Sequence, residues 1–247
     1  MDAIYSAFDR AATDQLLKAP VRAKVQLAGT NRPSSVKRTH AGELLRGDVK
    51  VELVELACGG NDWELYAYVA EMSARKRTAF FGIREPASVD LLSLIIDLSV
   101  FGKLNYGFGY SWSKSTDPSL HAVGLTAGLP RTPGEWLNAD HDALWFEERL
   151  SRPPAAPKMR HLKGCLRDVY ELNVLNDTHL KTKMHGGETL EHFVRSRTAF
   201  GTIISGENGA SVWTVPVDRI PAARAVLQRA NILICTGSSE LLHGVHD

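Results

Sequence analysis

Between Asn105 and Thr116 the chain reads Asn-Tyr-Gly-Phe-Gly-Tyr-Ser-Trp-Ser-Lys-Ser-Thr, so Tyr106, Phe108, Tyr110 and Trp112 alternate with Gly107, Gly109, Ser111 and Ser113. A period of two belongs to a pleated strand, which sends the four aromatics to one face and leaves the other nearly bare. Glycine weakens a strand interior, so two of them on one face predict that another backbone, a helix or a partner comes close there. The aromatic face suits either a core or a recognition surface. Core packing is the plainer reading, because four rings bury area that the fold needs.

The rest of the chain reads as an α+β protein. Val49 to Ala57, Trp63 to Met72 and Thr78 to Arg84 are expected strands, the first two joined by the hairpin-prone Gly59-Gly60-Asn61-Asp62. Ser88 caps an apolar helix carrying Val89, Leu92, Ile95 and Ile96; the aromatic strand follows, and Leu120 to Ala127 is expected to be a further strand. Thr132, Pro133 and Glu135 open another helix as cap, first position and capping-box partner. Upstream of all this, residues 2–18 have helical spacing, and Thr30 to Gly47 is polar and basic enough to read mostly as loop.

Downstream, the elements run β-α-β-β-α-β. Leu166 to Leu175 is the first strand and Gly187 to Val194 the first helix. Gly201 to Ser205 and Ser211 to Val215 form a hairpin about Gly206-Glu207-Asn208-Gly209. Asp218 caps a second helix that Asn231 ends before the last strand, Ile232 to Cys235. This is the order of a ferredoxin-like sandwich, an antiparallel sheet with helices on one face. The expected division is an arm over 1–47, a first α+β half over 48–150, a proline-rich connector over 151–158, a second half over 159–235 and a frayed tail over 236–247. The first half is compatible with a related sheet, without a residue-level repeat.

Composition sets bounds on function. Lys and Arg number 29 against 28 Asp and Glu, a formal charge of +1 that gives no global footprint for nucleic acid or anionic membrane. Cys58, Cys165 and Cys235 are dispersed and unpaired in sequence, which fits a reducing cytoplasm. The N-terminal residues carry acids where a secretion signal needs bases, and even Leu91 to Phe101 is too short to span a membrane. We therefore expect a cytoplasmic protein that needs no cofactor and has no membrane partner.

Three constellations are candidates for function. His185, Glu188 and His192 combine helical i,i+4 spacing with a third ligand before the helix, a set that fits a metal-dependent enzyme; the plainer alternative is a glycine turn followed by a first-turn acid pair. The aromatic strand with Arg75, Lys76 and Arg77 nearby has the parts of an RNA-stacking sheet, or equally of a core strand beside a solvated basic turn. Asp140, Asp142, Glu147 and Glu148, interleaved with Trp145, give an acidic-aromatic helix that fits a basic protein partner, with Trp145 as anchor and the acids as rim. No serine or cysteine stands in a nucleophile motif, so no catalytic residue is assigned.

Several phrases together resemble the immunity-type and uncharacterised proteins that bacteria encode beside polymorphic toxins. They are Phe81-Gly82-Ile83-Arg84-Glu85-Pro86, Tyr106-Gly107-Phe108-Gly109-Tyr110, His121-Ala122-Val123-Gly124, Leu166-Arg167-Asp168-Val169-Tyr170 with Asn173, Gly201-Thr202, and Val212-Trp213-Thr214-Val215-Pro216. The resemblance implies a cytoplasmic inhibitor that occludes a secreted toxin, such as a nuclease, by direct binding. It carries over no individual residue.

Overall fold

In a computed structural model of the chain, the described residues are 21–27, 32, 34–37, 51–58, 65–73, 76–83, 92–93, 95–96, 104–110, 121–122, 124, 143–146, 148, 160–206 and 208–235. The chain divides into two units, Met1–Phe101 and Gly102–Asp247. That division falls well upstream of the expected connector at 151–158, which lies outside the described residues. The aromatic segment thus joins the second unit, and part of the expected arm joins the first.

The first unit holds a five-stranded antiparallel sheet in the order β2-β1-β3-β4-β5, built from β1 (Val21–Leu27), β2 (Ser34–Val36), β3 (Val51–Cys58), β4 (Leu65–Ser73) and β5 (Lys76–Ile83). The last three are the expected strands. The first two are a correction, since they lie in the region read as helix and loop. The register explains why these segments pair. Ala23, Leu56, Ala67 and Phe81 share one cross-strand row, and Val25, Val54, Val69 and Ala79 share the row two residues along. The intervening row holds Lys24, Glu55, Tyr68 and Phe80, so apolar rows alternate with mixed ones. Helical residues at Leu92, Ser93, Ile95 and Ile96 agree with the expected helix; the three apolar ones are half-buried.

The second unit holds a four-stranded antiparallel sheet in the order β6-β7-β9-β8, from β6 (Gly107–Gly109), β7 (Leu172–Asn176), β8 (Thr202–Ser205) and β9 (Ala210–Thr214). Among its helices are α1 (Asp177–Leu180), α2 (Leu190–Ser196) and α3 (Ile220–Arg229). The β8–β9 hairpin turns through Asn208 (φ 52°) and Gly209 (φ 73°), as its Gly-x-Asn-Gly sequence demands. Thr189 caps α2, accepting the N–H of His192. Asp218 does not cap α3; it pairs with Arg219, and α3 starts after a 3₁₀ turn at Val217–Arg219.

One cross-strand row of this sheet is Phe108, Asn173, Trp213 and Ile203, and the adjacent row is Gly107, Val174, Val212 and Ile204. On the first face Leu175, Ile203 and Trp213 pack with Leu190, Phe193 and Val194 of α2 and with Ala223 and Leu227 of α3. The spacing of Ile220, Ala223 and Leu227 along α3 gives that helix its apolar stripe. Trp213 is fully buried, and its indole N–H donates to the Phe200 carbonyl (2.9 Å). The bare face of the aromatic strand is explained by its neighbour: a Cβ on Gly107 would stand 3.3 Å from Val174 Cβ, and one on Gly109 3.2 Å from Leu172 Cβ.

Among the described residues, three expected strands are missing or shortened. His121 and Ala122 are helical, and the Gly124 N–H closes a turn on the His121 carbonyl (3.1 Å). Leu166 to Glu171 stays outside the sheet, its backbone served by other partners: Leu166 and Arg167 bond to the main chain of Ile232, Ile234 and Cys235, Asp168 accepts the Val169 N–H (2.6 Å), and Asn173 accepts the Tyr170 N–H (3.1 Å) and donates to the Tyr170 carbonyl (2.7 Å). The segment at Leu233 makes only an isolated parallel bridge with Leu166. It does not enter the sheet, and β6 takes the place beside β7.

Candidate functional site

Rings and polar groups from several segments of the second unit gather about Arg167, a guanidinium buried to 1% exposure. A buried cation needs partners over its whole surface. Arg167 donates from Nη1 to the His121 carbonyl (2.6 Å) and from Nη2 to His121 Nδ1 (3.2 Å). Its Cζ lies 5.2 Å from the Phe108 ring centre and 5.4 Å from that of Trp145, so π faces supply the attraction that water would have given. Because arginine only donates, His121 Nδ1 must accept, which places the proton of the neutral ring on Nε2, 3.4 Å from Tyr170 Oη.

The aromatic strand meets this centre with its ring-bearing face. Phe108 stacks on Tyr170 (4.6 Å between centres), Tyr106 stacks on His179 (5.2 Å), and Tyr110 meets His121 edge-on (4.6 Å). Tyr106 Oη accepts the Arg167 backbone N–H (2.7 Å). Burial pushes both Tyr106 and Tyr170 well above the ordinary tyrosine range, with Arg167 pulling the other way, so both hydroxyls stay protonated. The three rings therefore pack inward. That arrangement favours the core reading over the RNA-stacking one; Trp112 and Arg75 lie outside the described residues, while Lys76 and Arg77 open β5 in the first unit.

Two ion pairs frame the cluster. Asp168, 1% exposed, accepts from Arg224 Nε of α3 (2.7 Å), tying the loop after Leu166 to that helix. Desolvation raises its carboxyl to about 6 against the opposing pull of Arg224. Glu148, 2% exposed, accepts from the His161 N–H (3.3 Å), faces His161 Nδ1 (3.2 Å) and lies 3.7 Å from Arg160 Nε. His179 is fully buried against Asn176, whose side chain caps α1. Desolvation lowers its imidazole to about 4, offset in part by the carbonyls of His161 and Cys165, so it is neutral at pH 7.

Of the acidic-aromatic helix, Ala143–Phe146 and Glu148 are described and helical. Trp145 is 4% exposed and donates from Nε1 to the Ala122 carbonyl (2.9 Å). Trp145 and Glu148 thus belong to the interior cluster, which corrects their assignment as exposed anchor and rim. Asp140, Asp142 and Glu147 lie outside the described residues. Sequence reasoning missed Arg167, His121, His161 and His179 as members. Arg167 and His121 stood in phrases singled out for resemblance, and Asn176 three residues before His179 is an N-cap signal.

His185, Glu188 and His192 fall elsewhere, at the start of α2. Glu188 Oε1 accepts from Arg197 Nη1 (2.8 Å) and lies 3.6 Å from His192 Nε2. The carboxylate that a metal would use faces a guanidinium instead, and among the described residues no three His, Cys, Asp or Glu side chains gather as a metal-holding group. His185 and Glu188 line a cleft of about 410 Å³ with an apolar floor that includes Phe193, Phe200 and Val226, and with Arg197 and Arg229 also in its wall. Among the described residues no helix is long and apolar enough to cross a membrane.

No protein-family model matches the chain, and comparison with curated proteins and with solved structures gave no significant match.

Proposed function

We propose that this chain is a non-enzymatic bacterial immunity protein of the cytoplasm, which binds a cognate secreted toxin and blocks it, a nuclease being one such toxin. The observation that supports this reading is the pinning of the acidic helix to the interior. Trp145 is held at Ala122 and Arg167, and Glu148 at Arg160 and His161. A helix fixed at two inward side chains loses little further freedom on binding. In this reading Asp140, Asp142 and Glu147 supply the rim charges against a basic cleft, while Trp145 and Glu148 hold the helix in place. The expected contribution is to association rate and specificity more than to affinity.

The strand order β7-β9-β8, with β9 antiparallel between two neighbours, further supports a ferredoxin-like reading of the second unit, its fourth place filled from upstream by β6.

The test is co-expression with the product of the adjacent reading frame. If that product is toxic, the parent chain should restore growth and co-purify with it. A D140K/D142K/E147K variant should lose rescue and slow association at low salt, with an unchanged melting temperature. A variant that protects as well as the parent removes the rim assignment, and a flanking frame that is neither toxic nor bound by the chain removes the immunity reading.

A further inference from the structure

The cleft beside α2 carries more positive charge than its own acid answers. Glu188 Oε1 is committed to Arg197 Nη1 (2.8 Å), and the same Nη1 also donates to the Phe193 carbonyl (3.3 Å) and the Ser196 hydroxyl (3.2 Å). With its Cζ 4.8 Å over the Phe193 ring, Arg197 is a fixed and neutralised part of the wall. Arg229 is different. It stands exposed in the last turn of α3 and makes no hydrogen bond or ion pair with any described residue. The negative end of the helix dipole favours a cation there, so the guanidinium holds its place without an acid of its own.

His185 lines the same cleft, likewise without a partner among the described residues. The turn that carries it is closed by the Met184 N–H on the Glu188 carbonyl (2.7 Å) and the Gly187 N–H on the Met184 carbonyl (3.0 Å). Its two glycines, Gly186 and Gly187, have nothing within 4 Å of where a Cβ would stand, so this side of the cleft is open to a ligand. The remaining lining is apolar. Met184 and Phe193 are buried, Phe200, Val226 and Ala230 are half-buried, and the two phenyl rings lie 4.8 Å apart.

These surfaces restrict what can settle there. Two guanidinium groups repel a cation, a compact mineral anion would leave the apolar side chains uncovered, and a hydrocarbon would desolvate Arg229 without pairing it. We propose that the cleft binds a small monocarboxylic acid with an aryl or branched alkyl body, the carboxylate on Arg229 and the body against Phe200, Val226 and Ala230. The parallel N–H groups of a guanidinium match the two oxygens of a carboxylate, and His185 offers a further N–H donor. The volume of about 410 Å³ falls in the range of small-molecule sites, roughly 300–1,000 Å³. The toxin reading does not enter this assignment, and either can fail without the other.

The probe is hydrocinnamate, titrated into the full chain with isotope-labelled methionine methyl groups. Of the four methionines Met184 lines the cleft, and Met184→Leu assigns its NMR signal. The ring of the probe should shift that signal with a Kd on the order of 1 mM, as expected for a ligand of so few atoms. Hydrocinnamide, which has the same shape without the charge, should bind at least about tenfold more weakly, and acetate should leave the signal in place. Arg229→Gln, a change at an exposed helical position, should keep the melting temperature and bring acid and amide to equal affinity. Ala230→Phe should fill the cleft and abolish the response to both. A Met184 signal unmoved by the acid at about 20 mM, an amide that binds as well as the acid, acetate that shifts the signal as far, or an Arg229→Gln variant that still prefers the acid would each overturn the proposal.

Discussion

Protonation of His179 should weaken the fold by an amount that its environment sets. The ring is fully buried, stacked on Tyr106 and held at Asn176, and its folded value is about 4 against an ordinary 6.5. A group depressed on folding binds fewer protons folded than unfolded, so its stabilisation is complete above 6.5 and is lost as pH falls toward 4. At 1.36 kcal/mol per unit the whole window amounts to about 3 kcal/mol, most of it falling between pH 7 and pH 4.5. His179→Phe keeps the stack and removes the titration. The assay is urea denaturation of both proteins in half-unit steps from pH 7.5 to 4.5. The lost Asn176 bond should give a constant offset of about 1–3 kcal/mol, on which the parent's advantage should shrink by about 2 to 3 kcal/mol toward acid. An advantage that stays flat within about 0.5 kcal/mol, or grows, would show that His179 is charged inside or reached by water, and the argument from desolvation would fail.

Asp168 should act in the opposite direction over nearly the same range. Its carboxyl is raised to about 6, so the fold favours the protonated form and loses stability as pH rises from about 4 to about 6; Asp168→Asn should therefore gain stability with pH more steeply than the parent when both are followed by thermal melting. Replacing Arg167 with Met strips the His121 carbonyl of its donor and empties the contact with two rings, and denaturant unfolding should show a loss of about 3 kcal/mol. Gly201 and Gly186 both have positive φ, 98° and 88°, yet a Cβ at Gly201 would run into the Thr214 carbonyl while one at Gly186 meets nothing within 4 Å. Gly186→Ala should cost about 1 kcal/mol, whereas Gly201→Ala should cost at least about 3 kcal/mol or leave no soluble protein, and equal melting temperatures for the two would refute the steric reading.

The strands that were legible are those whose own residues decide them. β3, β4 and β5 combine β-branched and aromatic residues with turn signals between them, and β8 with β9 flank a turn whose asparagine and glycine accept positive φ. β1 and β2 were hidden by polarity. In β1, Arg22, Lys24 and Gln26 alternate with Val21, Ala23 and Val25, a period of two that its small apolar residues state weakly. Leu166 to Tyr170 misled for a different reason. It has strand composition, but Asp168 and Asn173 take the N–H groups of Val169 and Tyr170, while Leu166 and Arg167 bond to the main chain of Ile232 to Cys235, a partner that local composition does not announce. The cluster itself was least legible. Arginine and glutamate are ordinarily surface residues, so the burial of Arg167 and Glu148 follows only from knowing that Phe108, Trp145, His121 and His161 arrive from four other segments.

Moving Trp145 and Glu148 inside changes what the acidic helix can contribute. With the indole buried, the helix keeps no aromatic anchor among the residues assigned to the rim, and the rim falls from four acids to Asp140, Asp142 and Glu147. Solvated charges steer encounter and are screened over about 8 Å at physiological salt, whereas buried aromatics chiefly set dissociation. Inhibition through this face should therefore show a strongly salt-dependent association rate and a dissociation rate that salt barely moves. Glu148 separates the two roles within one helix. Glu148→Gln removes a charge that already faces Arg160 and His161, so it should lower the melting temperature while leaving the salt dependence of association intact. Reversing Glu147 should do the converse. If Glu148→Gln instead altered the salt dependence at unchanged stability, Glu148 would have to be reaching solvent, and the pinned helix could not be the element that presents the rim.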